Sequence, residues 1–254
     1  MRHLTQVAFL ISFLFVSALP AKTVMAEDQD KTPLYAMLLQ QYVIDGRVDY
    51  MEFKKEEAQL DSYLDYLAKT DPAQMEEKER FAFYINVYNA YTIKLILANF
   101  EDGKPQASIK DIGSFFSKPW SIKFVNVGGK MYTLDNIEHD ILRPTFKDPR
   151  VHFAVNCASK SCPPLISVPY SSTDLDQQLD ASTIAFINNE QQNRLVGSTL
   201  HISSIFKWFK EDFHNNPIGF FEKYAKGKLR KELTSQKDQI KVKYLSYDWS
   251  LNGK

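Results

Sequence analysis

Both cysteines of the chain lie in one fifteen-residue stretch, VHFAVNCASKSCPPL, which runs from Val151 to Leu165. Cys157 and Cys162 are five positions apart, and His152 precedes them in the same stretch. Three kinds of chemistry use these residue types: a structural disulfide, a cysteine nucleophile with a histidine base, and a zinc site. The residues by themselves leave all three open.

A disulfide is the simplest interpretation of the two cysteines. An exported protein meets an oxidising compartment, and two cysteines make a single pair. A turn through residues 158–161 would have to bring the two Cα atoms within about 7 Å. Closing so small a loop stabilises a fold by about 2 kcal/mol. On the residues alone, this interpretation ranks ahead of a nucleophile, and a metal site ranks last.

A cysteine nucleophile needs a base that takes the thiol proton and a group that orients that base. His139 and His152 are the candidate bases for Cys157. Asn89 or Asn156 could orient the imidazole, as an amide does in papain-like sites. The sequence contains no local motif of a known cysteine-protease family.

A zinc site would draw on both of these histidines and both cysteines. The ligand types suit zinc, but the four residues between the cysteines make a marginal spacing, and there is no second cysteine pair. We therefore expect neither a metal nor an organic cofactor.

The best-defined predicted element is a helix over about Ala73 to Ala98. Its apolar residues follow helical spacing and cover nearly the whole circumference, which predicts a buried central helix. Asn86 and Asn89 are the exceptions, and they share a face because they lie three positions apart. A buried amide without partners costs about 1–3 kcal/mol, so each must bind a loop, the other amide or a site.

The residues before the cysteines predict a strand. Val151 to Val155 follows Asp148-Pro149 and is rich in β-branched residues. Strand alternation would place His152 and Cys157 on opposite faces. On this prediction His152 points away from the thiol, and His139 is the less constrained base.

The rest of the chain mixes helices with short hairpins. A short helix over Asp135 to Arg143, ended by Pro144, carries Glu138 beside His139. Gly128-Gly129 and Gly197-Ser198 each predict a hairpin turn, and Ile240 to Tyr247 predicts a final strand. We therefore expect an α+β fold, with a helix-rich N-terminal third and a buried central helix packed on a small, mainly antiparallel sheet.

The N-terminus predicts export. Residues 1–26 have a basic start, an apolar run and small residues at Val24 and Ala26, which is the layout of a signal peptide. We expect residues 27–254 to form a single domain in the periplasm or outside the cell, without stable membrane insertion after cleavage. The 31 basic and 31 acidic residues balance, so we expect no nucleic-acid partner, and no other partner is indicated.

Several motifs together resemble the domain of unknown function 547 family, in an exported bacterial form. They are DGRVDY at 45–50, FYINVYNA at 83–90, IEHDILR at 137–143, HFAVNC at 152–157, SCPP at 161–164 and WFKEDF at 208–213. The resemblance spans about residues 42–224 and implies a fold without an established reaction. In that family the pattern ending at Cys157 is more dependable than Cys162. The resemblance therefore implies a shared polar pocket. It also raises the cysteine-nucleophile interpretation to the same rank as the structural interpretation.

The predicted function is a thiol-dependent hydrolase, or an acyl or peptidyl transferase, of the cell envelope. Cys157 is the predicted nucleophile, His139 or His152 its base, and Asn89 the orienting amide. The predicted supporting residues are Asn86, Glu138, Arg143 and Asn156. The alternative is a non-catalytic periplasmic binding or structural protein with a Cys157–Cys162 disulfide.

Overall fold

The computed structural model describes residues 29–113, 117–236 and 239–254. The predicted signal peptide, residues 1–26, lies outside these ranges. Helices dominate the described chain, and the strands form small sheets, so the predicted α+β class is confirmed.

The N-terminal region consists of short elements that cover the central helix. They are α1 (Thr32–Tyr42), β1 (Val43–Ile44), β2 (Arg47–Val48), α2 (Tyr50–Phe53), a 3₁₀ turn (Lys54–Glu56) and α3 (Glu57–Lys69). The turn between β1 and β2 holds Asp45 and Gly46, with φ angles of 51° and 76°. A glycine suits that left-handed position because it has no Cβ to clash with the backbone. Here a Cβ on Gly46 would also lie only 2.3 Å from the Cβ of Pro164.

The central helix α4 runs from Glu77 to Ala98 after a 3₁₀ turn at Pro72–Gln74. It is buried on all sides from Phe81 to Leu97 except at Lys94, which confirms the predicted buried helix. Lys94 is half-buried at the helix edge and pairs with Glu57 and Asp61.

The middle of the chain contains a hairpin and a helix of mixed type. Its elements are 3₁₀ turns at Ile109–Asp111 and Pro119–Ser121, β3 (Val125–Val127), β4 (Lys130–Tyr132), a π-helix (Asn136–Leu142) and α5 (Arg143–Phe146). The predicted hairpin at Gly128-Gly129 is confirmed, with Val125 opposite Tyr132. The prediction that Pro144 ends the helix is wrong. Pro144 lies in the first turn of α5, which continues directly from the π-helix.

The predicted strand over Val151 to Val155 is also wrong. Pro149–Phe153 forms a 3₁₀ helix, which we call the histidine turn. The Asp148 side chain caps it by accepting a hydrogen bond from the Arg150 backbone N–H at 2.9 Å. A capping aspartate followed by proline starts a helical turn, and this local signal overrides the β-branched residues. The argument that alternation separates His152 from Cys157 therefore fails.

The C-terminal part packs helices around a three-stranded sheet. Its elements are α6 (Leu175–Ile187), β5 (Arg194–Val196), β6 (Thr199–Ile202), α7 (Ile205–Trp208), α8 (Pro217–Tyr224), α9 (Gly227–Ser235) and β7 (Lys241–Tyr244). The predicted hairpin between β5 and β6 is confirmed, with Leu195 opposite Leu200. β7 pairs with β6 in parallel, with Val242 opposite Leu200. The described strands thus form three separate small sheets rather than one, and the other pairings are antiparallel.

Two apolar clusters make up the core, and the histidine turn joins them. The first surrounds α4, and the second is rich in phenylalanine. Val151 packs in the first cluster and Phe153 in the second, so the segment that leads to Cys157 is anchored on both sides. In the ranges that the structure describes, no helix combines the length and the apolar character needed to cross a membrane.

Candidate active site

Residues 156–164, which we call the cysteine loop, follow the histidine turn directly. Ala158 adopts a left-handed φ of 58°, and the Cys162 backbone N–H donates to the Ser159 carbonyl at 3.0 Å. This tight turn brings the two cysteine side chains together. Both are free thiols, and their sulfur atoms lie 3.0 Å apart. The proposed Cys157–Cys162 disulfide is therefore not formed in this structure.

The Cys157 sulfur is surrounded by hydrogen-bonding groups. Besides Cys162, the hydroxyl of Ser159 lies at 3.1 Å and that of Tyr247 at 3.3 Å. The Ser159 hydroxyl donates to the Tyr247 oxygen at 3.0 Å, which leaves the Tyr247 proton free to donate to the sulfur. Burial, followed by the charge of Cys157, raises the pKa of Tyr247 well above its usual value. The phenol therefore stays protonated and serves as a donor.

These contacts make the two thiols chemically unequal. The hydrogen bond with Cys162 lowers the pKa of Cys157 below its ordinary value. Burial opposes this shift, and donation by the Tyr247 hydroxyl reinforces it. Burial raises the pKa of Cys162 well above its ordinary value. Cys157 is partly exposed, whereas Cys162 is only 8% exposed. Cys157 is therefore the more readily ionised of the two thiols.

His152 is buried and bound to an aspartate. Its Nε2 lies 2.7 Å from Asp212 Oδ2, and its ring stacks on Phe209 with the centroids 4.0 Å apart. A carboxylate accepts, so Nε2 carries the proton and Nδ1 keeps its lone pair in the neutral ring. Nδ1 faces Glu138, whose Oε1 is 3.9 Å away. The aspartate thus selects the tautomer and holds the ring.

Asp212 is itself held by Arg143. The guanidinium forks onto both carboxylate oxygens, with Nε 2.6 Å from Oδ2 and Nη2 3.1 Å from Oδ1. Although burial alone would raise the pKa of Asp212, the hydrogen bonds from His152 and Arg143 together lower it well below its usual range. The carboxylate is therefore ionised. Arg143, predicted as a supporting residue, positions the aspartate rather than the thiol.

His139 has a different environment. It lies on the exposed side of the π-helix, and its Nδ1 is 3.3 Å from Arg143 Nη1. A guanidinium only donates, so the Nδ1 lone pair is already engaged and the ring proton sits on Nε2. Of the two predicted bases, His152 therefore has the free, buried nitrogen.

The two amides of α4 pin loops and do not orient an imidazole. Asn86 donates to the Tyr170 carbonyl at 2.8 Å and accepts from the Tyr170 N–H at 2.9 Å. Asn89 donates to the Ala154 carbonyl at 2.9 Å and accepts from the Asn156 N–H at 2.8 Å. Because both ends of Asn89 are used by backbone groups, its predicted role as the orienting amide is wrong. Asp212 does that work instead.

Asn156 sits at the centre of a buried amide network. Its Nδ2 donates to the Pro163 carbonyl at 2.8 Å, across the cysteine loop. Its Oδ1 accepts from the Ala158 N–H at 2.9 Å and from Asn252 Nδ2 at 3.0 Å. The backbone N–H of Asn156 ties the loop to Asn89 on α4, and its side chain ties the loop to the C-terminal segment. The predicted supporting role of Asn156 is thus a structural one in this arrangement.

The C-terminal segment closes the site from the other side. The Lys160 N–H donates to the Ser250 carbonyl at 2.8 Å, and the Asn252 N–H donates to the Ala158 carbonyl at 3.0 Å. Ser161 Oγ also accepts from the Asp248 N–H at 2.9 Å. These bonds hold the cysteine loop against residues 248–252 and place Tyr247 beside the thiol.

The thiol and the histidine line one cavity of about 190 Å³. All three tryptophans of the chain, Trp120, Trp208 and Trp249, contribute to its walls, together with Phe209 and Tyr247. Glu138 and Tyr88 lie in the same lining, and the two side chains share a hydrogen bond. No hydrogen bond joins the Cys157 sulfur to an imidazole among the residues with described positions. No three histidine, cysteine or acidic side chains converge as a metal site in the same ranges.

Comparison with known proteins finds a family model that matches the central segment of the chain. Residues 72–187 match the family model described as protein of unknown function, DUF547. The match covers 116 of the 254 residues of the chain, slightly less than half. No curated protein and no solved structure gives a significant match. The DUF547 segment contains the cysteine loop, the histidine turn and Glu138, whereas Asp212 and Tyr247 come from outside it.

Asp212, Tyr247 and Ser159 are the site residues that sequence reasoning missed. Asp212 lies in the WFKEDF motif at 208–213, so its type and motif were visible in the sequence. Nothing in the sequence indicated that it meets a histidine 60 positions earlier, or that Tyr247 meets a cysteine 90 positions earlier.

Proposed function

We propose that this protein is a thiol-dependent hydrolase or acyl transferase, with Cys157 as the nucleophile and His152 as the base. One observation carries the proposal: a thiol whose pKa is lowered and a histidine bound to an aspartate both line the same apolar cavity. A nucleophile, a base and a group that orients the base are the parts that acyl transfer through cysteine requires.

The residues have distinct roles in the proposed reaction. With substrate bound, His152 Nδ1 takes the proton of the Cys157 thiol. The resulting thiolate attacks the acyl carbonyl carbon and forms a thioester, and the leaving group departs with the proton that the imidazolium returns. The neutral His152 Nδ1 then accepts a proton from water or from an acceptor amine as that nucleophile attacks the thioester. Asp212 stabilises the imidazolium and fixes the orientation of the His152 ring.

The resting site holds the thiol and the imidazole apart. Hydrogen bonds in catalytic sites often tighten only when substrate is bound. The cavity between the two groups is where the acyl group would sit, and its aromatic walls favour an apolar acyl group. The substrate then bridges the nucleophile and the base.

We place this activity in the cell envelope. Support for this location comes from the layout of residues 1–26, with their basic start, apolar run and small residues before the predicted cut. An exported thiol enzyme must keep its nucleophile reduced, and the partial burial of Cys157 favours that.

An acyl-enzyme experiment tests the proposal. Reduced protein is mixed with p-nitrophenyl acetate, and intact mass and peptide mapping follow the acetyl group. We expect an acetyl thioester on Cys157 that turns over, and no thioester in Cys157→Ala. His152→Gln should accumulate the thioester because water is no longer activated. His201→Gln, in the β5–β6 hairpin, is the matched histidine control. Acetylation spread over lysines, with none on Cys157, would defeat the proposal.

A second candidate function has its own support. The two sulfur atoms are close enough that a small movement would join them, and the cavity has the concave aromatic form of a ligand site. The alternative is therefore a non-catalytic envelope binding protein stabilised by a Cys157–Cys162 disulfide. Thiol titration of the exported protein separates the two: the alternative requires no free thiol and no gain of acyl transfer after reduction.

A further inference from the structure

The two cysteine side chains are arranged as a reacting pair. Their sulfur atoms lie 3.0 Å apart, and a disulfide bond is about 2.05 Å long, so closing the bond needs a movement of about 1 Å. The Cys157 backbone N–H donates to the Cys162 sulfur at 2.9 Å, which keeps that sulfur directed toward Cys157. The pair is thus held close without being bonded.

The environment assigns different roles to the two thiols. Cys157 opens into the aromatic cavity, where a substrate can reach it. Cys162 borders the same cavity but is only 8% exposed, and its sulfur lies 3.0 Å from that of Cys157. An accessible nucleophile with a buried partner is the arrangement by which dithiol proteins exchange with disulfides.

The frame around the loop is compatible with both redox states. Asn156 bridges the two ends of the loop, and residues 248–252 hold its middle through backbone bonds to Ala158 and Lys160. None of these bonds uses a cysteine side chain. Closing the sulfur–sulfur bond would therefore leave the frame intact and give up only the contacts of the sulfur atoms.

From this geometry we propose a second activity for the site: thiol–disulfide exchange, with Cys157 attacking a disulfide substrate and Cys162 completing the exchange. The substrate is a disulfide with one apolar or aromatic half that fits the tryptophan-walled cavity. This activity goes beyond the proposed acyl transfer and does not depend on it, because it needs no imidazole and no carbonyl group.

The two steps balance. In the first, the Cys157 thiolate attacks one sulfur of the substrate disulfide, forms a mixed disulfide and expels one thiolate. In the second, Cys162 gives up its proton to solvent, attacks the Cys157 sulfur and expels the second thiolate. The substrate disulfide is reduced to two thiols, and the protein is oxidised to the Cys157–Cys162 disulfide. The lowered pKa of Cys157 favours the first step at neutral pH.

The test uses the full chain, reduced and freed of reductant, with one equivalent of 2,2′-dithiodipyridine. We expect two pyridinethiones released per protein, no retained adduct and a mass lower by two hydrogen atoms. Cys162→Ser should release a single pyridinethione and keep the other half on Cys157, identified by peptide mapping. Cys157→Ser should react many-fold more slowly, because the remaining thiol is buried. Circular dichroism and thermal unfolding confirm that each variant is folded.

The substrate class is tested separately with oxidised glutathione, a charged disulfide of low aromatic character. Because pyridinethione is the better leaving group for any thiol, the ratio of the two rates is compared with the same ratio for free cysteine. We expect the protein's ratio to be many-fold higher and Trp208→Ala to reduce it several-fold. A ratio equal to that of free cysteine would refute the aromatic substrate class.

Other outcomes overturn the exchange itself. A wild-type protein that releases one pyridinethione and keeps a stable adduct has no resolving cysteine, and the proposal is then wrong. The same holds if the adduct of Cys162→Ser maps elsewhere than Cys157. Failure here leaves the acetyl-thioester result untouched, and absence of an acetyl thioester leaves the pyridinethione count untouched, so the two proposals fail separately.

Discussion

The buried amide of Asn156 offers the sharpest test of how the site is held. Replacing it in Asn156→Ala removes three hydrogen bonds of the side chain. The groups that lose their partner are the Pro163 carbonyl, the Ala158 N–H and Asn252 Nδ2. None of these bonds involves the thiols, so the change acts on the frame of the cysteine loop.

The expected loss of stability follows from the polar groups that lose their hydrogen-bond partners. A buried polar group without a partner costs about 1–3 kcal/mol, which for three groups gives about 3–9 kcal/mol. Asn156 also borders a polar cavity of about 320 Å³ on the far side of the loop, where water can reach the truncated site. Water replaces part of the lost bonding, so we expect about 3–5 kcal/mol. For a domain of this size that corresponds to a fall in melting temperature of about 6–20 °C.

Urea unfolding, monitored by circular dichroism, measures the loss of stability directly. The matched control is Asn99→Ala, which removes one amide bond, to the Leu95 carbonyl at 2.7 Å, at the half-buried end of α4. We expect the control to lose about 1 kcal/mol or less. The reasoning is refuted if Asn156→Ala is no less stable than the control, since the network would then contribute nothing to the fold.

Three further predictions concern the turn, the ion pair and the thiol. Gly46→Ala should destabilise the fold by about 1–3 kcal/mol more than Gly103→Ala. Both glycines have nearly the same φ, but only a Cβ at position 46 would clash with the cysteine loop. Urea unfolding of both variants measures the difference, and equal losses of stability would contradict the clash. Asp212→Asn should cost about 2–4 kcal/mol at neutral pH. The pKa of Asp212 is lowered on folding, so its contribution is present above about pH 4 and is lost progressively as the pH falls further. The difference in stability between the two proteins should therefore be constant from about pH 7 to about pH 4 and should narrow by about pH 3. A difference that stays constant down to about pH 3 would contradict the ion pair. Tyr247→Phe should shift the pH midpoint of Cys157 alkylation by iodoacetamide upward, because the thiolate loses a donor; an unchanged midpoint would contradict that contact.

Local sequence patterns were enough to predict the elements whose structure depends on neighbouring residues in the chain. The apolar circumference of α4 predicted its burial, and Gly128-Gly129 and Gly197-Ser198 predicted their hairpin turns. These features arise from side-chain periodicity and from backbone angles that only a few residue types accept, and both can be read from the sequence.

Competing local preferences caused the error at the histidine turn. Val151 and its β-branched neighbours favour a strand, whereas Asp148 and Pro149 favour the start of a helical turn. Packing decided between them, because a helical turn lets Val151 face one apolar cluster and Phe153 the other. Propensity is weak compared with such burial.

The residue types of the site could be read from the chain, but their partners could not. Cys157, His152 and Glu138 were predicted and do line one cavity. Hydrogen-bond partners 60 and 90 positions away, Asp212 for the histidine and Tyr247 for the thiol, depend on the path of the whole C-terminal region. That path is set by long-range packing of the phenylalanine cluster and by backbone bonds along residues 248–252, neither of which leaves a periodic pattern in the sequence. The chain therefore determines which groups can react, and tertiary packing determines which of them meet.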